Sequence, residues 1–359
     1  MRNIPVTKPY FPPINIYQNY VRQIYDNEWL TNNGTLLTGL ERKLEDRYKL
    51  NTSIVSNGTL ALQFAIKALG LSGEIITTPF SYVATVSSIV WEGCKPIFVD
   101  IDKDTFNINH ELIEDYITKE TTAILATHVF GNPCRVNEIE AVAKKHGLKV
   151  IYDASHAFDI SLDNRSLLSH GDVSVVSFHA TKIFHMVEGG GVFSVNPEVI
   201  YRINQLRNFG HKGYEDFDGI GINGKNSELH SAMGHCVLAD FELIASRRKK
   251  QYLLYQRLLK DSGLRFQKVL SNCSYNYSYF PIIFPDESSL VRVMRILNEN
   301  NIFPRRYFYP LLNNLHYVDY QKMEVAESIS SRVICLPLFH DLQNNEQNNI
   351  AHIILENLT

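Results

Sequence analysis

The stretch Val173-Ser174-Val175-Val176-Ser177-Phe178-His179-Ala180-Thr181-Lys182, followed at once by Glu188-Gly189-Gly190-Gly191, decides how the rest of the chain is read. Four mostly apolar, β-branched-rich residues form a short buried strand, and a small-residue turn carries one lysine out of its end. A lysine at the end of a buried strand can form a Schiff base with an aldehyde cofactor. Taken alone the signal is weak, because most lysines are solvated surface charges. Its weight comes from what lies upstream.

The strand expected over Leu148 to Tyr152 ends in Asp153-Ala154-Ser155-His156. Open α/β sheets bind ligands at the carboxyl ends of their strands. A carboxylate there can sit beside the ring nitrogen of pyridoxal phosphate and keep it protonated. An isolated aspartate in such a place more often caps the next helix. Earlier, Ser53-Ile54-Val55 reads as a strand, Ser56-Asn57-Gly58-Thr59 as a polar turn and Leu60 to Leu69 as a helix. Strand, polar turn and helix together offer backbone amides and a helix dipole to a phosphate, although the same pattern is also an ordinary helix cap. Between these two, Thr77-Thr78-Pro79-Phe80-Ser81-Tyr82-Val83-Ala84-Thr85 leaves another strand and carries aromatics able to stack on a flat ring.

Strand-like runs at Glu74 to Thr78, Lys95 to Val99, Thr122 to Thr127, Leu148 to Tyr152, Val173 to Ser177 and Gly191 to Ser194 alternate with helical patterns such as Val136 to His146. That alternation predicts a mostly parallel sheet with helices on both faces. A glycine-rich, irregular stretch over Phe209 to Asn226 follows, then a helical pattern from Glu228 to about Ser262 expected to link two domains. The tail reads as a smaller α+β unit: strands at Tyr277 to Phe284, Arg305 to Tyr309 and Val333 to Leu336, helices at Ser288 to Asn300 and Gln343 to Leu355. The expected division is a large domain over 1–240, with an N-terminal arm, and a small one over 241–359.

The order of these elements along the chain resembles the DegT/DnrJ/EryC1/StrS family of sugar aminotransferases. Further matching stretches are Ile4-Pro5-Val6-Thr7-Lys8-Pro9, Trp29-Leu30-Thr31-Asn32-Asn33-Gly34, Gly221-Ile222-Asn223-Gly224-Lys225-Asn226-Ser227-Glu228, Arg306-Tyr307-Phe308-Tyr309-Pro310-Leu311 and Cys335-Leu336-Pro337-Leu338. The family often has proline where this chain has Thr35. The resemblance implies the aspartate aminotransferase (fold type I) architecture and pyridoxal 5′-phosphate as cofactor. It implies that Lys182 is the Schiff-base lysine and proton shuttle, that Asp153 pairs with the pyridine nitrogen and that His156 contacts the ring oxygen. Gly58, Thr59 and Ser177 would hold the phosphate, Tyr82 would stack on the ring, and Asn223 would reach the phosphate from the second subunit of a homodimer. His179 is a family feature, as readily structural as chemical.

Family members with histidine in place of the lysine dehydrate the sugar, so Lys182 favours transamination. The implied reaction is amination of dTDP-4-keto-6-deoxy-D-glucose at carbon 4, with L-glutamate as donor, for O-antigen or other surface polysaccharide. The rivals are amination at carbon 3 of a dTDP-3-keto-6-deoxyhexose and, more remotely, a GDP- or UDP-linked substrate. Asn33, His185 and Tyr309 are candidates for sugar-nucleotide contacts. Arg305, Arg306 and the run Arg247-Arg248-Lys249-Lys250 are available to a diphosphate, the run being the more ordinary solvated helix face. A reading from another class, a cofactor-binding regulator without turnover, is disfavoured because Lys182, Asp153, Gly58 and Thr59 are all present.

Composition is ordinary for a soluble globular protein. Of 359 residues, 45% are hydrophobic and 20% charged, and the net charge of −3 gives no general basic footprint for nucleic acid. The five cysteines lack C-x-x-C spacing, which argues against a zinc site or a disulfide framework and suits a reducing cytoplasm. The start of the chain carries no long apolar run, so no signal peptide is expected. No stretch approaches the roughly 20 apolar residues of a membrane span.

Overall fold

A computed structural model describes residues 2–358. Its centre is a seven-stranded sheet. In spatial order the strands are Asn51–Val55, Gly190–Ser194, Val173–Ser177, Lys149–Asp153, Thr121–Thr127, Glu74–Thr77 and Lys95–Phe98. Every neighbouring pair is parallel except the two made by Gly190–Ser194, which runs antiparallel to both of its neighbours. The connection from Ser177 to Gly190 contains no helix, whereas parallel neighbours are usually joined through a helical crossover.

Two-residue periodicity sorts the apolar residues of these strands into two cores. Ile54, Ile76, Ile124, Val150, Tyr152, Val176 and Phe193 pack on one face with the helices Thr35–Tyr48 and Val136–His146. Their sequence neighbours Val55, Ile75, Leu125, Ile151, Val175 and Val192 pack on the other with the helices Gly58–Ala68, Val83–Trp91 and Pro197–Leu206. Strands covered on both faces read as continuous apolar runs, which is how these read.

A smaller unit is built on an antiparallel sheet of Arg265–Phe266, Phe280–Ile283 and Val333–Leu336, covered by the helices Phe241–Leu259, Glu287–Glu299 and Asn344–Glu356. The N-terminal arm is tied to this unit, with Ile4–Pro5 pairing in parallel with Ile302–Phe303. A further aromatic-rich cluster, including Phe80, Phe106, Phe130, Tyr279 and Phe308, joins the small unit to the carboxyl ends of the large sheet. No helix among the described residues is long and apolar enough to cross a membrane.

Two expected elements differ. The single helix over Glu228 to Ser262 is two, Glu228–Ala239 and Phe241–Leu259, because Asp240 leaves helical geometry (φ −96°, ψ 6°) while its side chain accepts from Tyr10 Oη at 2.8 Å. Apolar spacing continues across the break, so periodicity reads through it. Arg305 to Tyr309 is not a strand. Only Arg305 bridges, to Cys335, after which Phe308 turns inward among Phe80, Phe130 and His156.

Candidate active site

The cavity at the carboxyl ends of the large sheet collects residues from seven separate segments. The helix Gly58–Ala68 points its N-terminus into it. Asn57 Oδ1 accepts from Leu60 N at 2.9 Å and so caps that helix. The amides of Gly58 and Thr59 remain without a partner among the described residues. Unpaired amides and the positive helix end make an anion site. The approach is tight: a side chain at Gly58 would bring its Cβ to 2.9 Å from Ser177 Cβ, so Ser177 and this turn are held in contact only because residue 58 is glycine. Glycine is needed at position 190 for the same reason, since a Cβ there would run into the backbone of Asn57. Gly190 pairs with Ser177, which places Glu188 beside the lysine segment.

Asp153 closes its strand and is buried, 4% exposed. Its Oδ2 accepts from Thr85 Oγ1 at 2.8 Å and its Oδ1 from Ser155 N at 3.1 Å. Lys182 lies half-buried on the same cavity, and its ammonium makes neither ion pair nor hydrogen bond among the described residues. Burial lowers its pKa to about 8, and the charge of Asp153 acts the other way. An unpaired lysine poised near neutrality is a nucleophile in waiting.

His156 Nδ1 accepts from Phe130 N at 3.3 Å. Its ring lies parallel to that of Phe308, with centroids 5.9 Å apart. Burial, then the nearby charge of Lys182, pushes its pKa well below the usual 6.5. The neutral ring therefore carries its proton on Nε2, free to donate to an oxygen in the cavity. His179 Nδ1 accepts from Thr181 N at 3.2 Å, and its Nε2 faces Glu188 Oε1 at 3.4 Å. On the opposite wall the Arg305 guanidinium lies 4.9 Å from the Tyr307 ring centroid and makes no ion pair among the described residues.

A lysine, a buried carboxylate, a neutral histidine and a helix N-terminus thus share one cavity. The model of the DegT/DnrJ/EryC1/StrS aminotransferase family matches residues 15–355. The chain belongs to that family. A Shigella dysenteriae protein named dTDP-4-amino-4,6-dideoxy-D-glucose transaminase is 40% identical, the match covering 98% of each chain. An Escherichia coli protein of the same name is 37% identical over 99% of this chain and 98% of its own. A GDP-perosamine synthase of Escherichia coli O157:H7 is 30% identical over 99% of both. Among solved structures, DesI in the presence of its TDP-sugar product superposes with a TM-score of 0.95 at 28% identity, covering 100% of this chain and 94% of the other.

Membership makes the chain an aminotransferase and implies pyridoxal phosphate. The residues present fit that cofactor. The amides of Gly58 and Thr59, unpaired among the described residues, could hold a phosphate, Lys182 could react with an aldehyde, and the buried Asp153 could face a cationic ring nitrogen. Of the residues expected from sequence, the structure brings Gly58, Thr59, Tyr82, Asp153, His156, Ser177 and Lys182 together on one cavity. Tyr82 is exposed over it, whereas Phe80 is fully buried in the aromatic cluster.

The four others lie elsewhere. His185, expected to touch the sugar nucleotide, is instead buried in the interior. Its Nε2 donates to Tyr10 O at 2.9 Å while Nδ1 accepts from Val187 N, so it pins the N-terminal arm. Asn33 accepts from Arg207 Nη2 at 3.3 Å outside this cavity. Tyr309 is exposed beneath the Arg306 guanidinium. Asn223 is exposed in the irregular segment after Arg207, outside the cavity of its own chain.

Sequence reasoning passed over Asn57, Ser81, Thr127, Tyr279 and Glu188 as lining residues. Asn57 and Glu188 stood inside quoted motifs and were legible as neighbours. Tyr279 had no local signal, because the small unit delivers it from far along the chain.

Proposed function

We propose that the chain transfers an amino group from L-glutamate to carbon 4 of dTDP-4-keto-6-deoxy-D-glucose, yielding dTDP-4-amino-4,6-dideoxy-D-glucose for a surface polysaccharide such as O-antigen. The observation that carries this reading is the unpaired Lys182 sharing a cavity with Asp153 and the Gly58 helix end, in a chain 40% identical over nearly its whole length to a transaminase of that name. The free cysteines support a cytoplasmic setting.

When bound, pyridoxal phosphate supplies an electrophilic carbon for amines and a ring that accepts the electron pair left on the substrate carbon. The chain supplies the rest. The Gly58 and Thr59 amides and the Ser177 hydroxyl would hold the phosphate, and Tyr82 would cover the ring. The Asp153 carboxylate would face the ring nitrogen, and His156 Nε2 would donate to the ring oxygen. Lys182 Nζ would take the proton from the substrate carbon and return it on the other side of the exchange, which a pKa of about 8 suits in both directions. Arg305 is the cation available to the substrate's diphosphate, because Arg306 is already paired with Glu287 at 2.7 Å.

The exposed Asn223 is consistent with a homodimer in which each copy completes its partner's phosphate site. The same segment exposes Phe209, Phe217, Ile220 and Ile222, apolar surface of the kind a second copy covers.

Purified protein incubated with pyridoxal phosphate, L-glutamate and dTDP-4-keto-6-deoxy-D-glucose should give a carbon 4 amine by NMR. An amine on carbon 3 of a dTDP-3-keto-6-deoxyhexose, or turnover of a GDP-linked sugar alone, would overturn the substrate while keeping the aminotransferase.

A further inference from the structure

Beside Asp153 runs a row of three hydroxyls, of which those of Ser81 and Thr127 belong to residues lining the cavity. Thr85 Oγ1 is 2.8 Å from Asp153 Oδ2, Ser81 Oγ is 2.7 Å from Thr85 Oγ1, and Thr127 Oγ1 is 3.0 Å from Ser81 Oγ. All three residues are buried, Thr85 completely. Each hydroxyl owns a single proton. A carboxylate oxygen can only accept, so the Thr85 proton is committed to Asp153. Thr85 Oγ1 must then accept from Ser81, and Ser81 Oγ from Thr127. The carboxylate at one end thus sets the direction of all three O–H bonds, and every dipole points at it.

The three hydroxyls come from two places in the chain, the entry to the helix Val83–Trp91 and the end of the strand Thr121–Thr127. Thr127 stands directly beside Asp153 in the parallel ladder. The row therefore ties Asp153 to two elements besides its own strand. Ser155 N restrains the other carboxylate oxygen, which leaves each oxygen with one protein donor and a remaining lone pair.

We infer that Thr85, backed by Ser81 and Thr127, is a positioning residue that locks the plane of the Asp153 carboxylate toward the cofactor's ring nitrogen. The inference rests on the proposed reading of the cavity. Thr85 is fully buried and does not line the cavity, so it would act through Asp153. Hydrogen bonds to charged groups in dry surroundings are among the stronger ones, so removing this one should be felt.

The test uses the full-length protein with pyridoxal phosphate and L-glutamate. In Thr85→Val, which keeps the shape and deletes the hydroxyl, cofactor affinity of the apoprotein should fall about tenfold. The absorption of bound cofactor should change its pH dependence, and kcat of the glutamate half-reaction should fall while KM for glutamate stays nearly constant. Thr85→Ser should restore affinity and kcat to within about threefold of the parent, since it keeps the donor. Ser81→Ala should shift the same readouts in the same direction and less. A Thr85→Val protein that melts like the parent and matches it in affinity, spectrum and kcat would overturn the inference. So would a Thr85→Ser protein as impaired as the valine variant, which would point to packing of the methyl group. Should Thr85→Val not fold, an unchanged cofactor affinity and spectrum in Ser81→Ala would overturn it equally. If the parent protein itself takes up no cofactor, or glutamate leaves its spectrum unchanged, the reading of the cavity falls and this inference with it.

Discussion

The two walls of the cavity are made in different ways. The inner wall, with Gly58, Asp153, Ser177 and Lys182, is built at strand ends and helix starts of the large sheet, and the strands that carry Asp153 and Ser177 are laddered on both sides. The outer wall, with Tyr279, Arg305, Tyr307 and Phe308, comes from the small unit and reaches the cavity through side-chain packing of the aromatic cluster. Ladder-held strand ends place atoms accurately, so the wall that must act on a single carbon is rigid. The outer wall, which on the proposed reading meets the variable part of a substrate, stands on loops, where change is tolerated. The same division predicts where substitutions hurt chemistry and where they hurt recognition.

The largest effect should come from Lys182→Ala. Loss of the proposed proton carrier should lower turnover by roughly 10³-fold or more, while the proposed phosphate site still retains cofactor. Single-turnover kinetics and the spectrum of the variant check both halves of that statement. Retained transamination would break the assignment of chemistry to the inner wall.

A pH effect of about tenfold per unit comes next. The Lys182 amine reacts with an aldehyde only when neutral, and its pKa is lowered from 10.5 to about 8. A lowered pKa enlarges the neutral fraction at a given pH, so the rate at which apoprotein captures pyridoxal phosphate should rise with pH up to about 8 and then level off. A rate still climbing tenfold per unit to pH 10 would show the amine to be solvated like an ordinary lysine.

Arg305→Ala probes the outer wall. Losing a charge-assisted contact to a phosphate should raise KM for the nucleotide sugar about tenfold. The glutamate half-reaction, followed without the sugar, should be nearly unaffected. An equal loss in both half-reactions would merge the two walls into one functional unit. The smallest effect belongs to Asn57→Ala. It removes the cap on the helix Gly58–Ala68 and should lower stability by about 1 kcal/mol, seen as a lower denaturation midpoint.

Much of the inner wall was legible because each residue sits where a short-range pattern changes. Val173 to Ser177 is a strand in the sequence and in the structure, and Lys182 follows it at the turn. Val136 to His146 is likewise the helix its spacing predicts, stopped by Gly147 in the left-handed region at φ 68°. The outer wall was read poorly for the opposite reason. Arg305 to Tyr309 has the composition of a strand, but its only ladder contact is at Arg305, and Phe308 is drawn into an aromatic cluster assembled from distant segments. His185, a candidate for the sugar nucleotide in the sequence, is buried in the structure. The arm residue Tyr10, which claims its ring, is 175 positions away.

By itself, the sequence determined the alternation of strands and helices, the two-faced burial of the large sheet and the order in which Gly58, Asp153 and Lys182 arrive at strand ends. These follow from period-two and helical spacing, which act over a few residues. Only the tertiary structure decided between Arg305 and Arg306. The two are adjacent and chemically identical, yet Arg306 is paired with Glu287 and Arg305 faces the cavity with no ion pair among the described residues. Nothing local separates them, because the difference lies in which partner the folded chain brings to each guanidinium.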